Sequence, residues 1–163
     1  MTDPVLVPRN EDEQNASCLV EPAFAIVTVS ADIAGEVDEA WSIIGDFQGA
    51  ERFLGVPRGA GEGGQGVGSI RPVGTDILEA VVGISRHSYT YAQIRGPMAR
   101  YAYHGSVALE PAGPQCCKLI YTLTFDRSSM DDEGCARISD RLSMRFGGMV
   151  QAMKAAVESP GLS

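Results

Sequence analysis

The chain has little with which to bind a metal, hold a polyanion or cross a membrane. Histidine occurs only twice, as His87 and His104, and the four cysteines (Cys18, Cys116, Cys117, Cys135) match no zinc spacing. A strand through the adjacent Cys116 and Cys117 would turn their side chains to opposite faces. No metal site and no cofactor is therefore expected, and the cysteines read as reduced packing residues. Positive charge is scarce: 13 Lys and Arg stand against 21 Asp and Glu, a formal net charge of −8. That balance argues against a sequence-independent grip on nucleic acid and against an anionic membrane surface. No apolar run approaches the length of a membrane span, and Met1-Thr2-Asp3-Pro4 is not a basic segment leading into an apolar one. A cytoplasmic protein without membrane insertion is expected, as a monomer or homodimer.

What is present is an ordinary globular composition, 44% hydrophobic and 21% charged over 163 residues, enough for one domain with a real core. Residues 1–22 are polar and acidic and are expected to form a flexible tail, with Val5–Val7 too short for a secure strand. A single domain is expected over 23–158, with a short tail at 159–163. It opens with a strand, Phe24–Ile33, rich in β-branched residues. Asp32 is a possible start signal for a helix over Glu36–Ile44, and Asp46 can cap a second one over Phe47–Leu54. Residues 55–66 hold six glycines but lack the P-loop lysine, so they read as a flexible connection.

Strands follow at Val67–Val73, Ile77–Ile84, Ser88–Ile94, Tyr101–Glu110 and Cys117–Arg127, the first two joined by a turn at Gly74-Thr75. Residues Asp132–Val157 then repeat apolar side chains at helical spacing, with Leu142, Phe146 and Met149 on the stripe. Gly147-Gly148 interrupts it and leaves room either for close packing or for a ligand. The layout is α+β: a curved antiparallel sheet wrapped around a long C-terminal helix, with two short helices after the first strand.

Alternation along the strands selects the side chains that face inward. Arg71 and Glu79 share the inner face with apolar residues, and a charge out of water is costly unless paired. Two readings stand side by side: a structural ion pair closing the core, or a polar anchor in a ligand pocket. Tyr89, Tyr91, Tyr103 and Tyr121 also face inward and can surround a flat, oxygenated molecule. Tyr103 inward puts His104 outward, and His87 falls in a turn and is expected to be solvated. Glu79 is the candidate general acid or base, Arg71 the candidate stabiliser of developing negative charge, and Tyr121 a further catalytic candidate. An adjacent arginine, however, would lower the basicity of the glutamate. Arg137, Arg141 and Arg145 form one helical stripe, expected to pair with nearby carboxylates, with Arg145 an alternative contact at a cavity mouth.

The order of elements, Val37-Asp38-Glu39-Ala40-Trp41-Ser42-Ile43-Ile44-Gly45-Asp46-Phe47, Gly66-Val67-Gly68-Ser69-Ile70-Arg71 and Leu78-Glu79 together resemble the START/Bet v 1-like (SRPBCC) superfamily. The branch most similar is polyketide cyclase/dehydrase family 2. The resemblance implies a helix-grip fold with a large apolar cavity between the sheet and the long helix. It also implies a mobile flap at Gly96-Pro97-Met98 and a hydrophobic small-molecule ligand. The resemblance points to Glu79 and Arg71, and strand alternation adds Tyr121, as the catalytic candidates. Tyr89, Tyr91, Met98, Tyr103, Leu142, Arg145, Phe146 and Met149 are the ligand-binding ones. The expected function is cofactor-independent cyclisation, dehydration or a related lyase step. The alternatives are a carrier or sensor, and an interaction module whose cavity is filled by its own side chains.

Overall fold

The computed structural model describes residues 21–55 and 63–159. The expected N-terminal tail up to residue 20, with Val5–Val7 and Cys18, lies outside the described residues. So do residues 56–62 of the glycine-rich connection and the Pro160-Gly161 stop. Six strands, β1 (Phe24–Ala34), β2 (Ile70–Val73), β3 (Ile77–Ser85), β4 (Ser88–Arg95), β5 (His104–Gly113) and β6 (Cys116–Asp126), form one antiparallel sheet. Their spatial order is β1-β6-β5-β4-β3-β2. Helices α1 (Val37–Ile44) and α2 (Glu51–Leu54) follow β1, and α3 (Asp132–Glu158) closes the chain. At ~1.5 Å per residue α3 is about 40 Å long and crosses the domain. This is the helix-grip fold.

The elements form where local chemistry directs them. Leu119, Tyr121, Leu123 and Phe125 alternate along β6 and are all fully buried against α3 and its neighbours. The α3 stripe buries Leu142, Phe146, Met149, Val150 and Met153. Its N-terminus is capped by Asp131, whose side chain accepts a hydrogen bond from the Gly134 amide at 2.7 Å.

Several boundaries differ from the sequence expectation, each for a local reason. Asp32 does not start a helix: it pairs with Lys118 inside β1, and α1 begins only after Gly35, at φ +148°. Asp46 caps nothing and instead accepts from the Gln65 amide at 2.7 Å. The expected helix over Phe47–Leu54 is a 3-10 turn, Gln48–Ala50, running into α2. The strand expected from Tyr101 starts at His104, because Ala99–Tyr101 is a 3-10 turn and Ala102 takes a left-handed conformation at φ +48°.

Two glycines are required by packing. A Cβ on Gly105 would lie 2.3 Å from the Tyr91 ring, its ladder partner on β4. At Gly96, with φ +128°, a Cβ would lie 2.6 Å from Gln93 Oε1. Gly147 and Gly148, in contrast, have open space where a Cβ would go. No close approach explains them.

Candidate functional site

One row of polar side chains crosses the β2–β3–β4 end of the sheet. Arg71 is the ladder partner of Glu79, and Glu79 of Gln93; the Gln93 amide in turn donates to the Tyr103 carbonyl at 3.0 Å. All four residues are buried.

Arg71 is held on every side. Its Nε and Nη2 donate to Glu79 Oε2 at 3.1 and 2.5 Å, and its Nη1 donates to the Phe47 carbonyl at 2.5 Å. The guanidinium lies 4.1 Å from the Phe47 ring centre and 5.4 Å from that of Tyr91. Burial opposes its charge most strongly, but the Glu79 carboxylate together with the nearby Tyr89 and Tyr91 offsets that and holds its pKa above the ordinary arginine value. The pair joins the segment after α1 to β2 and β3, and it presents Glu79 in one orientation. Oε2 is occupied by Arg71, and no described residue donates to Oε1.

Beside Glu79 lies a cavity of about 200 Å³. The sheet and its loop contribute Val73, Ile77, Glu79, Gln93, Pro97 and Met98 to its wall. Tyr103 and Leu54 extend it, and α3 covers it with Ile138, Arg141, Leu142, Arg145 and Phe146. This is smaller than the ~300–1,000 Å³ of pockets for drug-sized ligands and suits a ring-sized body. It is a smaller space than the large cavity implied by resemblance. The buried tyrosines and phenylalanines take up the rest of the interior.

Of the residues singled out in the sequence, Glu79, Met98, Tyr103, Leu142, Arg145 and Phe146 meet at this cavity. Arg71, Tyr89, Tyr91, Tyr121 and Met149 are not on its wall. Tyr91 and Tyr121 join hydroxyls at 2.7 Å behind it, and Tyr121 packs on Phe146 at 4.9 Å between ring centres. Burial raises the pKa of both well above the ordinary phenol value, so both are neutral hydrogen-bonding core residues. Tyr89 Oη is buried with no hydrogen-bond partner among the described residues. Burial raises its pKa too, and the nearby Arg71 charge opposes the rise.

Gln93 was not anticipated. Alternation on β4 would have found it, since it continues the Tyr89–Tyr91 face by two residues. Its Oε1 accepts from the Met98 amide at 2.8 Å and so pins the Gly96-Pro97-Met98 loop at the cavity wall. No described residue accepts from its Nε2. Arg141 was expected to pair with a carboxylate and lines the cavity instead, while Arg137 is bound to Glu133 on its own helix at 2.5 Å. His87 is not free in solvent: its side chain is only 15% exposed, and Nε2 lies 2.6 Å from Asp38 Oδ1. His104 is half-buried on the other face from Tyr103, its Nδ1 2.6 Å from the Ala102 carbonyl.

Residues 25–158 match the model of a family described as polyketide cyclase/dehydrase and lipid transport. The chain belongs to that family. Membership goes with a ligand-binding fold. No curated protein matches the chain. Among solved structures it is similar to a protein from Nitrosospira multiformis, at 17% identity and a TM-score of 0.68, covering 85% of this chain and 100% of that one. It is also similar to XoxI from Bacillus cereus, at 18% identity and TM-score 0.66 over 85% and 99% of the two chains. Norcoclaurine synthase from Thalictrum flavum, solved with dopamine and hydroxybenzaldehyde, matches at 18% identity and TM-score 0.63 over 100% and 99%. At these identities the likenesses establish the fold. Among the described residues, no helix is long and apolar enough to cross a membrane.

Proposed function

We propose that this protein binds a small hydrophobic, oxygenated molecule in the cavity beneath α3 and converts it by a proton transfer in which Glu79 takes part. The observation that carries the reading is the half-occupied carboxylate. Oε2 is fixed by a buried arginine while Oε1, on a residue of the cavity wall, has no donor among the described residues. A ligand hydroxyl or an acidic C–H can meet that oxygen, and Gln93 Nε2 can donate to an oxygen beside it. Tyr103 is neutral, its pKa raised by burial, and is suited to donating a hydrogen bond to a developing enolate or phenolate. Arg71 is a positioning residue here and acts through Glu79. Cyclisation, dehydration and related lyase steps all need such a proton transfer, and these residues perform it without a redox partner. The family description and the hydroxybenzaldehyde complex of norcoclaurine synthase support an aromatic, oxygen-bearing ligand.

The tight Arg71–Glu79 pair favours a second reading, a carrier or sensor, because a charge-paired carboxylate is a weaker base. Arg71→Gln/Glu79→Gln separates the two. It removes both charges together, so no lone charge is left buried. The enzyme reading expects a loss of turnover of at least about a hundredfold, in line with general acid–base contributions, while ligand binding persists. Full turnover in that variant overturns a proton-transfer role for Glu79. Absence of product from any bound ligand in the wild type leaves the carrier.

A further inference from the structure

Resting on the proposed function of this cavity, we infer that its ligand is an organic acid, whose carboxylate is held at the rim by Arg141 and Arg145. Five described cations are paired with carboxylates, and of the six that are not (Arg52, Arg95, Arg100, Lys118, Arg141 and Arg145) only Arg141 and Arg145 line the cavity. Arg71 pairs with Glu79, Arg86 with Asp38, Arg127 with Asp132, Arg137 with Glu133 and Lys154 with Glu158. Arg141 and Arg145 have no carboxylate partner among the described residues, yet both line the cavity. They stand four residues apart on one helix face, where two like charges repel and weaken the helix slightly unless an anion sits between them. Arg145 is close enough for its charge to lower the pKa of the Tyr103 hydroxyl against the effect of burial. This basic rim occurs on a chain of net charge −8, so it stands out against the long-range field rather than following it.

The surroundings give the anion a direction. Glu79 repels it from the inner end, so the donor end of the ligand points inward and the acid outward. Outside the rim an open groove shares Ile138 and Arg141 with the cavity and continues to Arg137 and Tyr101. Its acidic neighbours are engaged: Asp131 caps the Gly134 amide and Glu133 holds Arg137. An acid on a short arm can therefore leave the cavity and still lie against cationic side chains. The ligand class is a ring-sized apolar body with a hydroxyl or similar donor at one end and an acid at the other. Two guanidinium groups at i,i+4 can each supply a charge-assisted hydrogen bond to such an acid.

The test is calorimetric titration of the full chain with 4-hydroxybenzoic, 4-hydroxyphenylpropanoic and 4-hydroxycinnamic acids, and with the methyl ester of each. Wild type and Arg141→Gln/Arg145→Gln are compared, both residues being exposed and outside the core. At low salt the wild type is expected to bind at least one acid about tenfold tighter than its ester, a difference that shrinks as salt is added. In the double variant acid and ester should bind within about twofold of each other, at the affinity of the wild type for the ester. Equal or tighter binding of the esters by the wild type overturns the inference and leaves the proposed function standing. An acid preference that survives in the double variant also overturns it. Failure of every acid and every ester to bind overturns the inference and the proposed function together.

Discussion

Along β1, β6 and β5 the inner face of the sheet is filled. Ile33, Cys117, Leu119, Leu123 and Phe125 have no exposed surface, and Val107 on β5 has none either. Along β4, β3 and β2 the same face carries Gln93, Glu79 and Arg71 beside a cavity. One helix covers both halves. Its C-terminal part is tied to β1, with Lys154 bonded to the Asp32 carbonyl and Glu158 accepting from the Ala34 amide at 2.8 Å. Its middle, over the cavity, carries two arginines with no such tie among the described residues. Closure at one end allows a gap at the other: the filled half fixes the position of α3, so the open half need not collapse onto its polar row.

That division predicts where charge matters most. Glu79→Leu leaves the Arg71 guanidinium buried without its partner, and about 3–5 kcal/mol of stability should be lost. Arg71→Met/Glu79→Leu, which removes both charges and keeps the volume, should recover most of that loss. Urea denaturation of the two variants beside wild type checks both. If the single variant loses under about 1 kcal/mol, the pair is no more than an exposed salt bridge in strength, and the open half is wetter than its burial indicates.

A smaller difference is expected between leucines in the two halves. Leu123→Ala on β6 empties a fully enclosed site and should cost roughly 2–5 kcal/mol. Leu142→Ala on α3 enlarges a space that already exists, so fewer contacts are lost and the cost should fall at the low end of that range. Equal losses would mean that the cavity collapses around Leu142, and the contrast between filled and open halves would fail.

The contrast was only partly visible in the sequence. Alternation on β4 and β6 reads which face each side chain takes, and Tyr89, Tyr91, Tyr103 and Tyr121 are all inward. It carries no information on how far along the sheet a side chain lies from the gap under α3. Three of those tyrosines therefore sit in the packed interior, and only Tyr103 reaches the cavity. The Arg71–Glu79 pair was legible only as one of two readings, because two charges on an apolar face demand a partner of some kind; the short turn at residues 74–76 puts them opposite each other. The position of Arg141 was not legible, since helical periodicity gives a stripe and leaves open which element faces its edge. The 3-10 turn at Ala99–Tyr101 depends on Ala102 adopting φ +48°, a conformation with no marker in an alanine.

The tie at the closed end gives the smallest expected effect. Hydrogen bonding from the Ala34 amide, then Lys154, lowers the pKa of Glu158 below its ordinary 4.5. A carboxylate depressed on folding contributes stability above its unfolded pKa, and that contribution disappears as pH falls through the folded value. Glu158→Gln keeps a side-chain oxygen for the Ala34 amide but loses the charge. Wild type should therefore be slightly the more stable above about pH 4.5, with the two converging at lower pH. Thermal melts of both proteins between about pH 2.5 and 7 measure the difference. A gap that stays constant down to the lowest pH would show that the charge of Glu158 contributes nothing, and that β1 holds α3 through uncharged hydrogen bonding, the Lys154–Asp32 contact and apolar packing.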